Sequence, residues 1–239
     1  AEMIMMVIDT LRASGLTKFQ VSIGEVEYFK GICRHAGLDS ETELALRDYI
    51  SEKNFFAAEE LMLEKGISER DREAILQVRE FNQVEETLTR ARELAPNEMS
   101  RSAIARLEEL YELLKKYGVE QYVSFDLGML SKFHYYTGVI FKAYTYGVGD
   151  AIVTGGRYDT LLGRFGKDAA AIGFMVLIDD LLEALYRQDL KIEVKENRQV
   201  LYYNKNNYDS KLREAVSLRK QGIFVSLISD EFEGAKKEL

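Results

Sequence analysis

Phe125-Asp126-Leu127-Gly128-Met129-Leu130-Ser131-Lys132-Phe133-His134-Tyr135-Tyr136-Thr137-Gly138-Val139-Ile140-Phe141 opens the stretch that decides the fold. It continues through Thr154-Gly155-Gly156-Arg157-Tyr158-Asp159 and ends on Gly173-Phe174-Met175-Val176-Leu177-Ile178-Asp179-Asp180-Leu181. Two apolar, β-branched and aromatic runs flank a turn containing glycine and aspartate, which predicts an antiparallel hairpin. A third apolar run, Ala169 to Ile178, predicts a buried strand leading into a helix over Asp179 to Arg187. Tyrosines and glycines crowd the strand ends, where a small polar ligand would fit. If Tyr135 and Tyr136 lie on a strand, they face opposite ways, one toward the core and one toward a cleft.

Upstream, Ile4, Val7, Ile8 and Leu11 form one stripe, so residues 1–13 read as an amphipathic helix ended by Gly15. Phe19-Gln20-Val21-Ser22-Ile23-Gly24 alternates as a strand does, and a helix begins near Glu25. From Leu38 to about Lys116 the composition changes to Glu, Lys, Arg, Leu and Ala at helical spacing. This region reads as four or five helices, with Ser40-x-x-Glu43 as a capping box and Gly66 and Pro96 as punctuation. Its alternating charges read as a solvated face. Gly118 closes the last of these helices, and Tyr122 to Leu127 reads as a strand. Downstream, a polar connector over 191–197 leads to Gln199–Tyr203 as strand, Tyr208–Gln221 as helix and Ile223–Ile228 as strand. That order implies a parallel pair.

The bulk numbers narrow the function. The chain has 239 residues, 46% hydrophobic and 30% charged, as in ordinary globular domains. A formal charge of −8 argues against a broad nucleic-acid surface. The single cysteine, Cys33, allows no intrachain disulfide and reads as a small buried thiol in a reducing, cytoplasmic setting. No run approaches the ~20 apolar residues of a membrane-spanning helix, and Met3 to Ile8 lacks the basic leader of a signal peptide. The chain starts without Met and stops in Gly234-Ala235-Lys236-Lys237-Glu238-Leu239, so both ends read as cuts through a longer protein. His35 and His134 stand alone, with no Cys/His spacing for a metal. No catalytic triad, dinucleotide motif or phosphate-binding glycine loop occurs, so no cofactor is expected. By itself Gly155-Gly156-Arg157-Tyr158-Asp159 is a glycine corner with an Arg–Asp pair, and Tyr135-Tyr136 an aromatic pair.

Taken in order, Tyr-Tyr-Thr-Gly, then Gly-Gly-Arg-Tyr-Asp, then Gly-Phe inside an apolar strand resembles the core of the histidyl-tRNA synthetases. The run Phe19 to Gly24 followed by Phe29-Lys30-Gly31 fits as well. Ser124 to Met129 and Phe141 to Asp150 look more like the synthetase's paralogue, the regulatory subunit of ATP phosphoribosyltransferase (the HisZ family). The resemblance covers residues 1 to 190; beyond that, the tail looks more weakly like the start of the synthetase's anticodon-binding-like domain.

The resemblance implies an α+β fold: an antiparallel class II aminoacyl-tRNA synthetase-like sheet with a helical insertion, followed by a partial α/β domain. The expected divisions are 1–37 and 118–190 for the core, 38–117 for the insertion and 198–239 for the partial domain. It also implies a histidine-binding pocket walled by Tyr136 and Tyr158 and floored by Gly155 and Gly156. In the synthetases an arginine that contacts the activated carboxylate stands where this chain has Ser131, and an arginine that holds ATP stands where it has Asp180. Losing two such cations removes electrostatic stabilisation of several kcal/mol each. Lys132 neighbours Ser131, but on a strand it would face the other way. The resemblance therefore implies a non-catalytic subunit that pairs with, and activates, a short-form ATP phosphoribosyltransferase catalytic subunit. Histidine would be its effector and the full-length protein would self-associate. The enzyme alternative is a histidyl-tRNA synthetase.

Overall fold

The computed structural model describes residues 1–76, 84–130, 135–190 and 198–230. The chain forms two compact units, Ala1–Lys191 and Ile192–Leu239. The first begins with helix α1 (Glu2–Ala13), strand β1 (Phe19–Glu25) and helix α2 (Val26–His35). Five helices follow: α3 (Ser40–Ser51), α4 (Phe55–Glu64), α5 (Glu69–Leu76), α6 (Val84–Leu94) and α7 (Glu98–Tyr117). Then come β2 (Val123–Phe125), β3 (Val139–Thr145), β4 (Val153–Arg157), β5 (Ile172–Val176) and α8 (Ile178–Arg187).

Period-two alternation in β1 and β3 puts Val21, Ile23, Phe141 and Ala143 on one face of the sheet, all fully buried. They join Ile4, Val7, Ile8 and Leu11 of α1 and Leu181 and Leu185 of α8 in a single core. The sheet order is β2-β1-β3-β4-β5. It is antiparallel throughout, except that β2 runs parallel to β1. The hairpin predicted from the two apolar runs is β3–β4, with Ile140 opposite Gly156 and Lys142 opposite Thr154. The arrangement is α+β, a mostly antiparallel sheet with a helical segment between β1 and β2, as the motif order implies.

The sequence reading needs three corrections. The run Ala169 to Ile178 is not a buried strand. Only Ile172–Val176 is extended, and Ile172 and Met175 are 45% and 54% exposed. Within the described residues β5 ends the sheet and pairs on one edge alone, so water reaches it. The cap of α3 is Asp39, whose Oδ1 accepts from the Thr42 amide at 2.8 Å, and Ser40 is already helical. Glu43 pairs with Arg47 one turn on, at 2.9 Å, instead of reaching back. The strand expected over Tyr122 to Leu127 shortens to Val123–Phe125, behind a 3-10 turn over Glu120–Tyr122.

Helix α7, the longest, starts at an Asn97 cap just after Pro96 and ends on Gly118 in the left-handed region. It packs along α2 and reaches β1, which fixes the helical segment against the sheet. Cys33, on α2, is buried, and burial pushes its thiol pKa well up, so it stays protonated. The second unit pairs β6 (Arg198–Tyr203) with β7 (Phe224–Ser229) in parallel, crossed by α9 (Tyr208–Lys220). Among the described residues no helix is long and apolar enough to cross a membrane.

Candidate functional site

The sheet face opposite the core carries the motif residues. Ile140 lies opposite Gly156 on β4, and Gly173 of β5 lies opposite Gly156 in turn. A Cβ at Gly156 would stand 2.6 Å from Cε1 of Tyr136, so the Tyr136 ring lies directly on this glycine. A Cβ at Gly173 would stand 3.1 Å from the Tyr158 hydroxyl. Glycine at both positions lets two tyrosines approach the sheet backbone. Gly155 addresses the other face, where a Cβ would meet the Phe141 ring and the Gly173 carbonyl, each at 2.6 Å.

The tyrosine pair does not lie on a strand. Tyr135 and Tyr136 precede β3, and their rings tilt together with centroids 4.5 Å apart. The Tyr135 hydroxyl donates to that of Tyr136 at a long 3.4 Å. The condition for the two to face opposite ways is not met, because alternation holds only in extended backbone and β3 begins at Val139. Tyr158 meets both rings edge-on, at 6.0 and 6.4 Å, so the three aromatics form a cup over Gly156.

Backbone bonds hold the cup. The Thr137 amide donates to the Arg157 carbonyl at 2.9 Å, and the Asp159 amide donates to the Thr137 hydroxyl at 3.0 Å. The Tyr158 amide donates to the Ala171 carbonyl at 2.8 Å, and the Val26 amide to the Gly138 carbonyl at 3.2 Å. Arg157 and Asp159 form the ion pair that their spacing suggests, Nε to Oδ2 at 2.8 Å, on the surface. Such exposed pairs contribute about 0–1 kcal/mol. Burial, and then the neighbouring Tyr135 hydroxyl, push the Tyr136 phenol well above its ordinary range. Tyr136 therefore offers a neutral hydroxyl, able to donate to or accept from an imidazole nitrogen.

Val26, Met129 and Ile140 form a small buried apolar cluster that Tyr136 packs against. Past Met129 the same sheet face opens into a cleft of about 570 Å³. Lys142, Tyr144 and Thr154 line it from the sheet, Asp126 and Asp150 from loops, and Lys53 from the turn after α3. Among the described residues none of these four charges forms an ion pair. Enclosure by the cleft walls raises the Asp126 pKa, against the Gly128 amide, which donates to its Oδ1 at 2.9 Å, and the nearby lysines. Sequence reasoning missed this cleft, because Lys53, Asp126 and Lys142 come from three distant segments with no shared motif.

Asp180 sits beside Asp179 in the first turn of α8. There a carboxylate complements the helix's positive end and would repel a phosphate. Ser131, Lys132 and His134 lie outside the described residues. Among those described, no group of three His, Cys, Asp or Glu side chains is placed to hold a metal.

The family model described as histidyl-tRNA synthetase matches residues 1–181. An ATP phosphoribosyltransferase regulatory subunit from Thermoanaerobacter sp. (strain X514) is 37% identical over 231 residues, covering 97% of this chain and 61% of that protein. The crystal structure of an ATP phosphoribosyltransferase regulatory subunit/histidyl-tRNA synthetase from Bacillus halodurans C aligns with TM-score 0.74 at 30% identity. That alignment covers 96% of this chain and 58% of the other. An ATP phosphoribosyl transferase (HisG:HisZ) complex from Thermotoga maritima shares the fold, with TM-score 0.55 at 18% identity over 73% of this chain and 59% of the other. The chain thus spans about three fifths of the length of the curated relatives it matches.

Proposed function

We propose a function from one premise: this chain belongs to the histidyl-tRNA synthetase family. Within that family it serves as a regulatory subunit of ATP phosphoribosyltransferase, and the relatives so named support this reading. The observation that carries it is the contrast between the tyrosine cup and the start of α8. The cup of Tyr135, Tyr136 and Tyr158 over Gly156 is present, while by the sequence resemblance Asp180, at the start of α8, is an anion at the position where the synthetases have the arginine that holds ATP. Ser131 replaces the second arginine in sequence. An amino-acid pocket without a phosphate clamp is a sensor, whose output is a coupling free energy between sites.

In this reading the cup takes the imidazole of histidine, with Tyr136 and Tyr158 as its polar wall and Gly156 as its floor; Gly155 supports the floor from behind. The unpaired charges of the adjoining cleft suit the ammonium and carboxylate of a free amino acid. The whole protein works in the cytoplasm, self-associates, and binds the short-form catalytic subunit. That enzyme makes the glycosidic bond; this subunit raises its activity and lends it histidine feedback.

The test uses the full-length protein. Purified catalytic subunit should gain activity when it is added, and histidine should reverse the gain. Histidine binding should appear in calorimetry and be lost in Tyr136→Ala. Histidine- and ATP-dependent pyrophosphate exchange by the full-length protein would overturn the reading in favour of a synthetase.

A further inference from the structure

One buried charge plays no part in the cup's own chemistry. Glu25 ends β1, and its side chain is completely buried. It caps α2, its Oε1 accepting from the Glu27 amide at 3.3 Å. Its cation comes from 81 residues away: Nη1 of Arg106 on α7 lies 3.3 Å from Glu25 and 3.0 Å from Glu27. A carboxylate taken out of water is costly unless it is paired and hydrogen-bonded, so this position is held for a reason other than packing alone.

The surroundings of Glu25 supply one. It lies opposite Val139, the first residue of β3. Its Oε1 would be 3.8 Å from a Cβ at Gly138, the residue two beyond Tyr136. The next residue in the chain, Val26, donates its amide to the Gly138 carbonyl. Arg106 thus pairs with Glu25, and the backbone next to Glu25 is bonded to Gly138, so a side-chain link and a backbone link run from the inserted helix α7 to the turn that carries the tyrosines.

We propose that Arg106 and Glu25 are positioning residues for the tyrosine cup, so that the setting of α7 controls how well the cup holds its ligand. The idea rests on the cup's being a ligand site, as proposed above. It adds that the inserted helices communicate with that site through one buried ion pair. The charged groups facing Glu25 are Arg106 from α7 and Glu27 from α2. Across Gly138 passes Arg157 from β4, itself engaged by Asp159. Burial raises the Glu25 pKa to about 7, against Arg106 and the Glu27 amide, so the tie changes charge near neutral pH.

The test pairs a ligand-free and a ligand-bound readout on the full-length protein. With 13C-labelled tyrosine, the Tyr136 resonance should step with pH, with a midpoint near that of Glu25. Glu25→Gln should remove the step. Arg106→Gln should move the midpoint upward, and Arg106→Lys should restore it in part. In calorimetry Arg106→Gln should weaken histidine binding at least five-fold, with recovery in Arg106→Lys. A flat Tyr136 resonance while Glu25 titrates overturns the proposal, and so does an unchanged histidine affinity in Arg106→Gln. If the wild type binds no histidine, the pocket reading fails on its own, and the tyrosine resonance still decides whether α7 positions the cup.

Discussion

The ring of Tyr136 rests on the backbone of Gly156 so closely that a single methyl group there would come within 2.6 Å of it. Gly156→Ala must displace the ring. Because Tyr136 is only half-buried, the ring can move, and the stability cost should be modest, about 1 kcal/mol. The cup would lose its shape, and histidine affinity should fall at least ten-fold by calorimetry. Gly155→Ala makes the useful contrast. Its methyl would meet the Gly173 carbonyl and the fully buried Phe141 ring, neither free to move. Chemical denaturation should show a larger loss, about 2–3 kcal/mol. Equal stability losses, or unchanged affinity in Gly156→Ala, would show that the two glycines do not divide the sheet's faces in this way.

The hydroxyl and the ring of Tyr136 should separate cleanly. In the ligand-free protein the hydroxyl meets only that of Tyr135, at 3.4 Å, among the described contacts. Tyr136→Phe should therefore leave stability within about 0.5 kcal/mol of wild type. If the hydroxyl bonds an imidazole nitrogen, its loss should weaken histidine binding about five-fold, a hydrogen bond's net ~1 kcal/mol. Tyr158→Phe should behave alike. Full affinity in both variants would leave the cup's polarity without a role.

What was legible in the sequence followed local rules, and what was not depended on distant partners. The alternation in Phe19–Gly24 and the turn containing glycine and aspartate between the two apolar runs announced β1 and the hairpin because side-chain period and turn chemistry are local; Gly155-Gly156 is not a corner, since both glycines lie within β4. The Tyr136–Tyr158–Gly156 grouping was legible only through motif order; no spacing rule brings residue 136 onto residue 156. For Tyr135-Tyr136 the alternation rule gave only a conditional answer, and the segment before Val139 is not a strand. Ala169 to Ile178 misled because an apolar run reports what a residue prefers, not what covers it. Glu25 looked like an ordinary helix-start acid, and nothing near it in sequence indicates Arg106.

The contact between α2 and α7 makes a third prediction. Gly31 faces the start of α7, where the Asn97 side-chain amide donates to the Gly31 carbonyl at 2.7 Å. A Cβ at Gly31 would come to 2.2 Å from the Ser100 hydroxyl and 2.9 Å from the Ser100 amide nitrogen. Alanine gains about 1 kcal/mol over glycine in an open helix. Here the clash should outweigh that gain, and Gly31→Ala should cost about 2–3 kcal/mol in chemical denaturation. Adding Ser100→Ala removes the nearer obstacle but not the backbone one, so the double variant should recover only part of the loss. A neutral Gly31→Ala would mean that the helices can separate freely, which would also weaken the case for α7 as a lever.

Glu25 should leave its mark on stability as a function of pH. Its folded-state pKa is raised from an ordinary 4.5 to about 7, burial outweighing Arg106. A carboxyl whose pKa rises on folding holds its proton more tightly when folded. Its favourable contribution is therefore complete below about pH 4.5 and is lost as pH climbs through about 7. Each tenfold gain in proton affinity corresponds to about 1.4 kcal/mol, so the loss is at most about 3–4 kcal/mol. Other groups titrate over the same range, so the informative quantity is the difference between wild type and Glu25→Gln. Between pH 5 and 8 the wild type should lose stability relative to this variant, with most of the change below pH 7. Arg106→Gln, lacking the cation that offsets the buried charge, should extend the loss to higher pH. Parallel curves for wild type and Glu25→Gln would show that Glu25 titrates as if exposed, and the buried ion pair could not then serve as a switchable tie between α7 and the cup.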